Sequence, residues 1–134
     1  MGRHDDVATE AQEQEWLMAW ANLRAVAYPE LRLLYHIPNG GKRTKTEARR
    51  FCAQGVKPGV PDLCLPVARK GYHGLYIELK RREGGRVSAA QRDWLGYLGE
   101  QGYFAVMCNG WQAAAETICR YLGIDWEAGG NSNA

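Results

Sequence analysis

The chain has 134 residues, 46% of them hydrophobic and 24% charged, with a formal net charge of +2, the size and balance of one soluble domain around a single core. No apolar run approaches the roughly 20 residues a membrane-spanning helix needs, and Met1 to Glu15 is polar and acidic without the apolar stretch of a signal peptide; a cytoplasmic protein with no membrane partner is expected. The four cysteines, Cys52, Cys64, Cys108 and Cys119, form no C-x-x-C pair and sit among apolar residues, which excludes the common zinc-site spacings and reads as buried, reduced thiols.

Residues 1–8 form a polar tail, and the first helix is expected from Thr9 to Ala27. Thr9 is its N-cap and Gln12 completes a capping box. Leu17, Trp20, Leu23 and Arg24 mark its stripe, with Trp16 beside them, and Tyr28-Pro29 ends it. Leu31 to Ile37 reads as a strand, stopped by the turn signal Pro38-Asn39-Gly40-Gly41. Thr44 or Thr46 caps a second helix that runs through Gln54 and closes at Gly55. Asp62 to Val67 and Gly74 to Lys80 are short strands joined by a turn. Ser88, with Gln91 three residues on, opens a helix from Ala89 to about Gln101. Tyr103 to Cys108 is the fourth strand, and Trp111 to Leu122 the last helix. The small polar residues from 123 to 134 read as a flexible tail. The order α-β-α-β-β-α-β-α predicts a three-layer α/β domain over residues 9–122, a central mixed sheet flanked by helices.

Charge is distributed unevenly along this frame. Gly40 to Arg50 carries five bases (Lys42, Arg43, Lys45, Arg49, Arg50) against one acid, and Lys80 to Arg86 carries four (Lys80, Arg81, Arg82, Arg86) against one. Two basic clusters in one small domain point to a phosphate-rich partner. The glycine-rich turn after His36 exposes backbone N–H groups that can contact phosphate, and Lys42 and Arg43 add charge. His36 reads alternatively as a core residue. The loop lacks the G-x-x-x-x-G-K-[ST] spacing, so no nucleotide cofactor is expected.

The informative stretch runs from Gly59-Val60-Pro61-Asp62 to Leu75-Tyr76-Ile77-Glu78-Leu79-Lys80. Alternation puts Leu75, Ile77 and Leu79 on one face of the strand and Tyr76, Glu78 and Lys80 on the other. A charged pair flanked by apolar residues in a central strand is costly to bury without partners. Asp62, at the start of the adjacent strand, supplies one partner and a divalent cation another. Two carboxylates and a backbone carbonyl are hard oxygen ligands suited to Mg²⁺, and a lysine beside them suits phosphodiester hydrolysis. Taken alone, an E-x-K tripeptide is far more often a solvated structural ion pair at a strand end, because the pattern is so short.

Pro61-Asp62 with Glu78-x-Lys80 resembles the PD-(D/E)xK nucleases, and more specifically a stand-alone VRR-NUC domain. The matching segments are His36-Ile-Pro-Asn-Gly-Gly-Lys-Arg43, Gly55-Val-Lys-Pro-Gly-Val-Pro-Asp62 and Gly74-Leu-Tyr-Ile-Glu-Leu-Lys80, followed by Ser88-x-x-Gln91, Trp94 and Gly102-Tyr103, collinear with the family from Thr9 to Leu122. The resemblance implies the restriction-endonuclease-like fold and a Mg²⁺-dependent endodeoxyribonuclease, with Mn²⁺ able to substitute. It implies Asp62, Glu78 and the carbonyl of Leu79 as metal ligands, Lys80 as the residue that positions the nucleophilic water, and Gln91 near the metal or substrate. The family's first-helix glutamate, which binds or positions the metal, falls on Glu10 or Glu13. Glu10 is preferred, because it shares a helical face with Gln14 and Leu17. DNA contacts are expected from His36, Asn39, Gly40, Gly41, Lys42, Arg43, Lys45, Arg81 and Arg82. Stand-alone members resemble junction resolvases, which implies branched DNA as substrate and a homodimer, since two symmetric cuts call for two active sites. The competing reading is a DNA-binding accessory module that keeps the fold without turnover.

Overall fold

A computed structural model describes residues 7–38 and 44–126, and its first helix starts where the local chemistry puts it. Thr9 Oγ1 accepts from the Gln12 N–H at 3.1 Å, and Gln12 Oε1 accepts from the Thr9 N–H at 2.9 Å. That capping box opens α1, Glu10–Arg24. Its buried residues are Glu13, Leu17 and Ala21, one every fourth position, while Leu23 and Trp16 are exposed. The buried stripe is thus rotated from the expected one: small Ala21 lies against the core and the large apolar side chains partly face out.

Leu31 to Ile37 is not a full strand. Pro29–Leu33 forms a 3-10 helix with the proline at its start, because the ring presets the helical φ. Leu31 and Leu34, three apart, both bury, as one face of a three-residue turn does. Only β1, Tyr35–His36, remains extended. The second helix, α2, spans Lys45–Ala53 under a Thr44 cap completed by Glu47, and none of its residues is buried.

The sheet continues with β2, Leu63–Leu65, β3, Leu75–Lys80, and β4, Phe104–Asn109. Strand order is β1-β2-β3-β4. The first three strands are antiparallel neighbours, and β4 runs parallel to β3. A parallel pair needs a crossover, supplied by α3, Ala89–Glu100, which opens on the Ser88–Gln91 capping box. The last helix, α4, covers Trp111–Leu122 and ends on Gly123 in the left-handed conformation that closes helices.

One cluster forms the core: Leu17 and Ala21 of α1, Leu63 and Leu65 of β2, Leu75, Ile77 and Leu79 of β3, and Ala114, Ala115 and Ile118 of α4. Burial of each large member contributes about 1.5–3 kcal/mol. α3 packs along β4 and adds no residue to this cluster, so helices flank the mixed sheet as a three-layer α/β domain. Gly123 to Trp126 continue the fold: Trp126 packs against Trp20 and Trp111 at 6.1 and 6.4 Å between ring centroids, and Arg24 donates to the Asp125 carbonyl. Cys64, Cys108 and Cys119 are buried free thiols, whereas Cys52 on α2 is exposed. No helix among the described residues is long and apolar enough to cross a membrane.

Candidate active site

The register of β2 on β3 sets Leu63 opposite Ile77, which brings Asp62, one residue before β2, beside Glu78. Asp62 is held from both sides. Its carbonyl accepts the Ile37 N–H at 2.6 Å and lies 2.9 Å from His36 Nδ1. Its carboxylate Oδ2 accepts the Leu79 N–H at 2.8 Å. A carbonyl can only accept, so His36 carries a proton on Nδ1. His36 is exposed, which removes the core reading of that residue. Gly59 supplies the close approach behind Asp62: at φ +92° it lies where a Cβ would come within 2.6 Å of the Ala90 backbone on α3.

Glu78 and Lys80 project from one face of β3, and the core-packed Leu75, Ile77 and Leu79 from the other. Both charged side chains are nevertheless buried, at 2% and 6% exposure. Lys80 Nζ lies 3.5 Å from Glu78 Oε2. Glu78 Oε1 is sealed from solvent and has no donor in hydrogen-bond range among the described residues. Burial, and then the nearby Asp62 charge, push the Glu78 carboxyl up to about 8, against the pull of Lys80. Its contact with the Asp62 carboxyl adds to the rise, since two such groups share a close contact only through a proton or a cation. The Glu78 carboxyl resists ionisation because, were both acids ionised, the two carboxylates would outnumber the one ammonium in this poorly solvated corner. Gly85 closes over it: a Cβ there would come within 2.7 Å of Lys80 Cβ.

The first-helix acid that reaches the sheet is Glu13, not the preferred Glu10. Glu10 is exposed on the first turn, whereas Glu13 is fully buried. Glu13 Oε2 accepts from Arg82 Nε at 2.8 Å, and Oε1 accepts from Arg82 Nη2 at 3.2 Å and from the Trp111 N–H at 2.9 Å. Burial alone would raise its carboxyl, but the Arg82 and Trp111 hydrogen bonds and the Arg82 charge outweigh it and hold it below the usual range. Gly110, the N-cap of α4, has no side chain to offer, so a carboxylate from α1 does the capping. The Gly110 N–H in turn donates to the Lys80 carbonyl at 2.8 Å. Glu13 thus ties α1, the end of β3 and the start of α4 together. One signal in the sequence points to it, the four-residue spacing from Glu13 through Leu17 and Ala21 to Ala25.

Gln91 spends its Oε1 on the Ser88 N–H at 2.8 Å and its backbone N–H on Ser88 Oγ at 3.1 Å; its side-chain NH2 is not used in that cap. Lys45 and Arg81 are exposed, and the Arg82 guanidinium, also expected at phosphate, is bound to Glu13. Asn39, Gly40, Gly41, Lys42 and Arg43 lie outside the described residues. Among the described residues no group of three or more histidines, cysteines or acids converges on a metal-sized site. The acidic set is therefore the pair Asp62 and Glu78.

A family model described as the VRR-NUC domain matches residues 8–112, a span that contains Asp62, Glu78 and Lys80. The chain belongs to the VRR-NUC domain family. The VRR-NUC assignment is joined by a solved structure described as a "VRR_NUC domain protein", which is 29% identical, superposes with a TM-score of 0.75, and is covered over 93% of its length by 94% of this chain. No curated protein matches. A VRR-NUC domain is a PD-(D/E)xK-like module, so the sheet and its helices form a nuclease-type fold.

Proposed function

We propose that this VRR-NUC domain is a divalent-metal-dependent DNA endonuclease in which Asp62 and Glu78 hold Mg²⁺, with Mn²⁺ able to substitute. The observation that carries the reading is Glu78 Oε1, a buried oxygen without a donor on a carboxylate beside a second carboxylate. Leaving such an acceptor unsatisfied costs about 1–3 kcal/mol or more. A hard cation would satisfy both acids at once, and the donor set fits one: two carboxylates, the Leu79 carbonyl as a third oxygen, and water for the remaining positions. When bound, such an ion supplies Lewis acidity and neutralises charge building on the phosphate.

The remaining roles follow from the chain's own groups. The Lys80 ammonium, fixed beside Glu78, donates hydrogen bonds to the attacking water and to the charge that develops in the transition state. The Gln91 amide binds substrate while its oxygen caps α3. Lys45, Arg81 and the bases of the 39–43 segment neutralise backbone phosphates. Glu13 is a positioning residue, because its oxygens are taken by Arg82 and Trp111.

Branched DNA such as a four-way junction is the proposed substrate. The described residues hold no separate sequence-reading module, which suits recognition of shape, and symmetric cutting of a junction suits a homodimer. A cleavage panel of junction, flap and linear duplex, with Mg²⁺, Mn²⁺ or chelator, tests the reading. The expected result is metal-dependent cutting, fastest on the junction and lost in Asp62→Ala. No cleavage of any substrate with either metal would reduce the domain to a binding module.

A further inference from the structure

A cavity of about 320 Å³ opens between α4, β4 and the turn that follows β2. Three rings line it. Tyr72 and Phe104 lie 5.2 Å apart between centroids, and Phe104 stacks on Tyr121 at 6.2 Å with 10° between planes. Tyr121 is pinned by its hydroxyl, which donates to the Val67 carbonyl. Two cations stand at the rim, Lys70 and Arg120. Both are exposed and neither joins an ion pair among the described residues, whereas neighbouring Arg69 is spent on Glu30 at 2.8 Å.

Lys70 is held there at a cost. It has φ +53°, followed by Gly71 at +86°, in a two-residue hairpin closed by hydrogen bonds in both directions between Arg69 and Tyr72. Asparagine, aspartate or glycine adopts that conformation more readily. The cavity is separate from the Asp62–Glu78 corner. Phe104 pairs with Leu75, five residues along the sheet from the Lys80–Asn109 pair, roughly 16 Å at strand rise. Phe104 and Val106 also share the α4 face of the sheet, the opposite face from Glu78 and Lys80.

An aromatic floor with two unpaired cations and no acid in its lining selects a flat ring that carries negative charge. We propose that this cavity is a second nucleotide-binding site, with a base stacked on the Tyr72 ring and abutting Phe104, whose ring is inclined 53° to it, and its phosphate held by Lys70 and Arg120. Choosing a nucleotide over other aromatic anions rests on the nuclease reading; the cavity and its charges do not. The ligand is either a free mononucleotide or one unit of a strand whose other part reaches the active site.

The test is amide chemical-shift mapping on the full chain, titrated with dTMP, with thymidine, with inorganic phosphate and with a short oligothymidylate. The expected shifts fall on residues 70–73, 104–106 and 117–121. Arg120→Gln and Lys70→Gly should each weaken dTMP binding about tenfold, the loss of one charge-assisted contact. Lys70→Gly should do so without lowering Tm, since glycine relieves the positive φ; this separates lost binding from lost folding. Tighter binding of the oligonucleotide than of dTMP assigns the site to a strand, and equal binding assigns it to the free nucleotide. Shifts reproduced by phosphate or by thymidine alone, shifts confined to the neighbourhood of Asp62, or none at saturating dTMP would overturn the proposal. Intact binding in a chain that cuts no DNA would count against the nuclease reading alone.

Discussion

Lys80 and Glu78 share a strand face that the chain buries almost completely, where an ionised carboxylate is costly. Lys80→Met keeps the bulk and removes the ammonium. Cleavage should fall by about 10²–10³, the usual loss when one preorganised donor is removed, and a kcat change smaller than tenfold would show that another group activates the water. Glu78→Gln separates stability from activity. The folded carboxyl is raised above its ordinary value, so its proton-linked stability is present below about pH 4.5 and is lost as pH rises toward 8. Without metal, Glu78→Gln should therefore match wild type in Tm near pH 4.5 and exceed it by a few degrees above pH 8, while cleavage is abolished. A Tm no higher than wild type in that alkaline range would mean the buried charge is already compensated.

Among the elements, α1 is tethered to the start of α4 through Glu13. Glu13→Gln leaves a buried contact to Arg82 and Trp111 without its charge and should cost about 2–3 kcal/mol, whereas exposed Glu10→Ala should stay within about 0.5 kcal/mol. The folded Glu13 carboxyl is depressed, so the stability it adds is present above pH 4.5 and is lost as pH falls through its folded value. Urea midpoints of wild type and Glu13→Gln should converge on acidification, and parallel curves would contradict the assignment. These elements also show what could be read in advance. The capping boxes of Thr9 and Ser88, the alternation of β3 and the span of α4 were legible because each is written in adjacent residues. Leu31 to Leu34 was not, since its leucines suit a strand as well as a 3-10 turn and Pro29 decides. Glu13 stood only as the alternative to Glu10, because its partner Arg82 is 69 residues away and hydropathy places a glutamate in solvent. The corner of Asp62, Glu78 and Lys80 was legible from strand alternation and motif; the position of Arg82 was not.

At the scale of the whole molecule, the surface carries large apolar side chains that the core does not use. Leu23 in the last turn of α1 and Val26 in the turn after it are 75% and 83% exposed, and Leu33 in the following 3-10 helix is 51% exposed. Such a group of side chains suits contact with a second copy, in keeping with the proposed homodimer. Leu23→Asp with Val26→Asp should convert a dimer to a monomer in light scattering and slow paired cutting of a junction more than nicking of a duplex. Wild type that scatters as a monomer yet cuts both junction strands together would contradict the dimer.

A cation shared by the two carboxylates is what the proposed chemistry requires above all. Crystals grown with Mn²⁺ and measured for anomalous scattering test it directly. The prediction is a peak about 2.1 Å from oxygens of both Asp62 and Glu78, absent from crystals of Asp62→Ala. Density that stays empty between these carboxylates at saturating Mn²⁺, or a peak bound elsewhere on the chain, would contradict it.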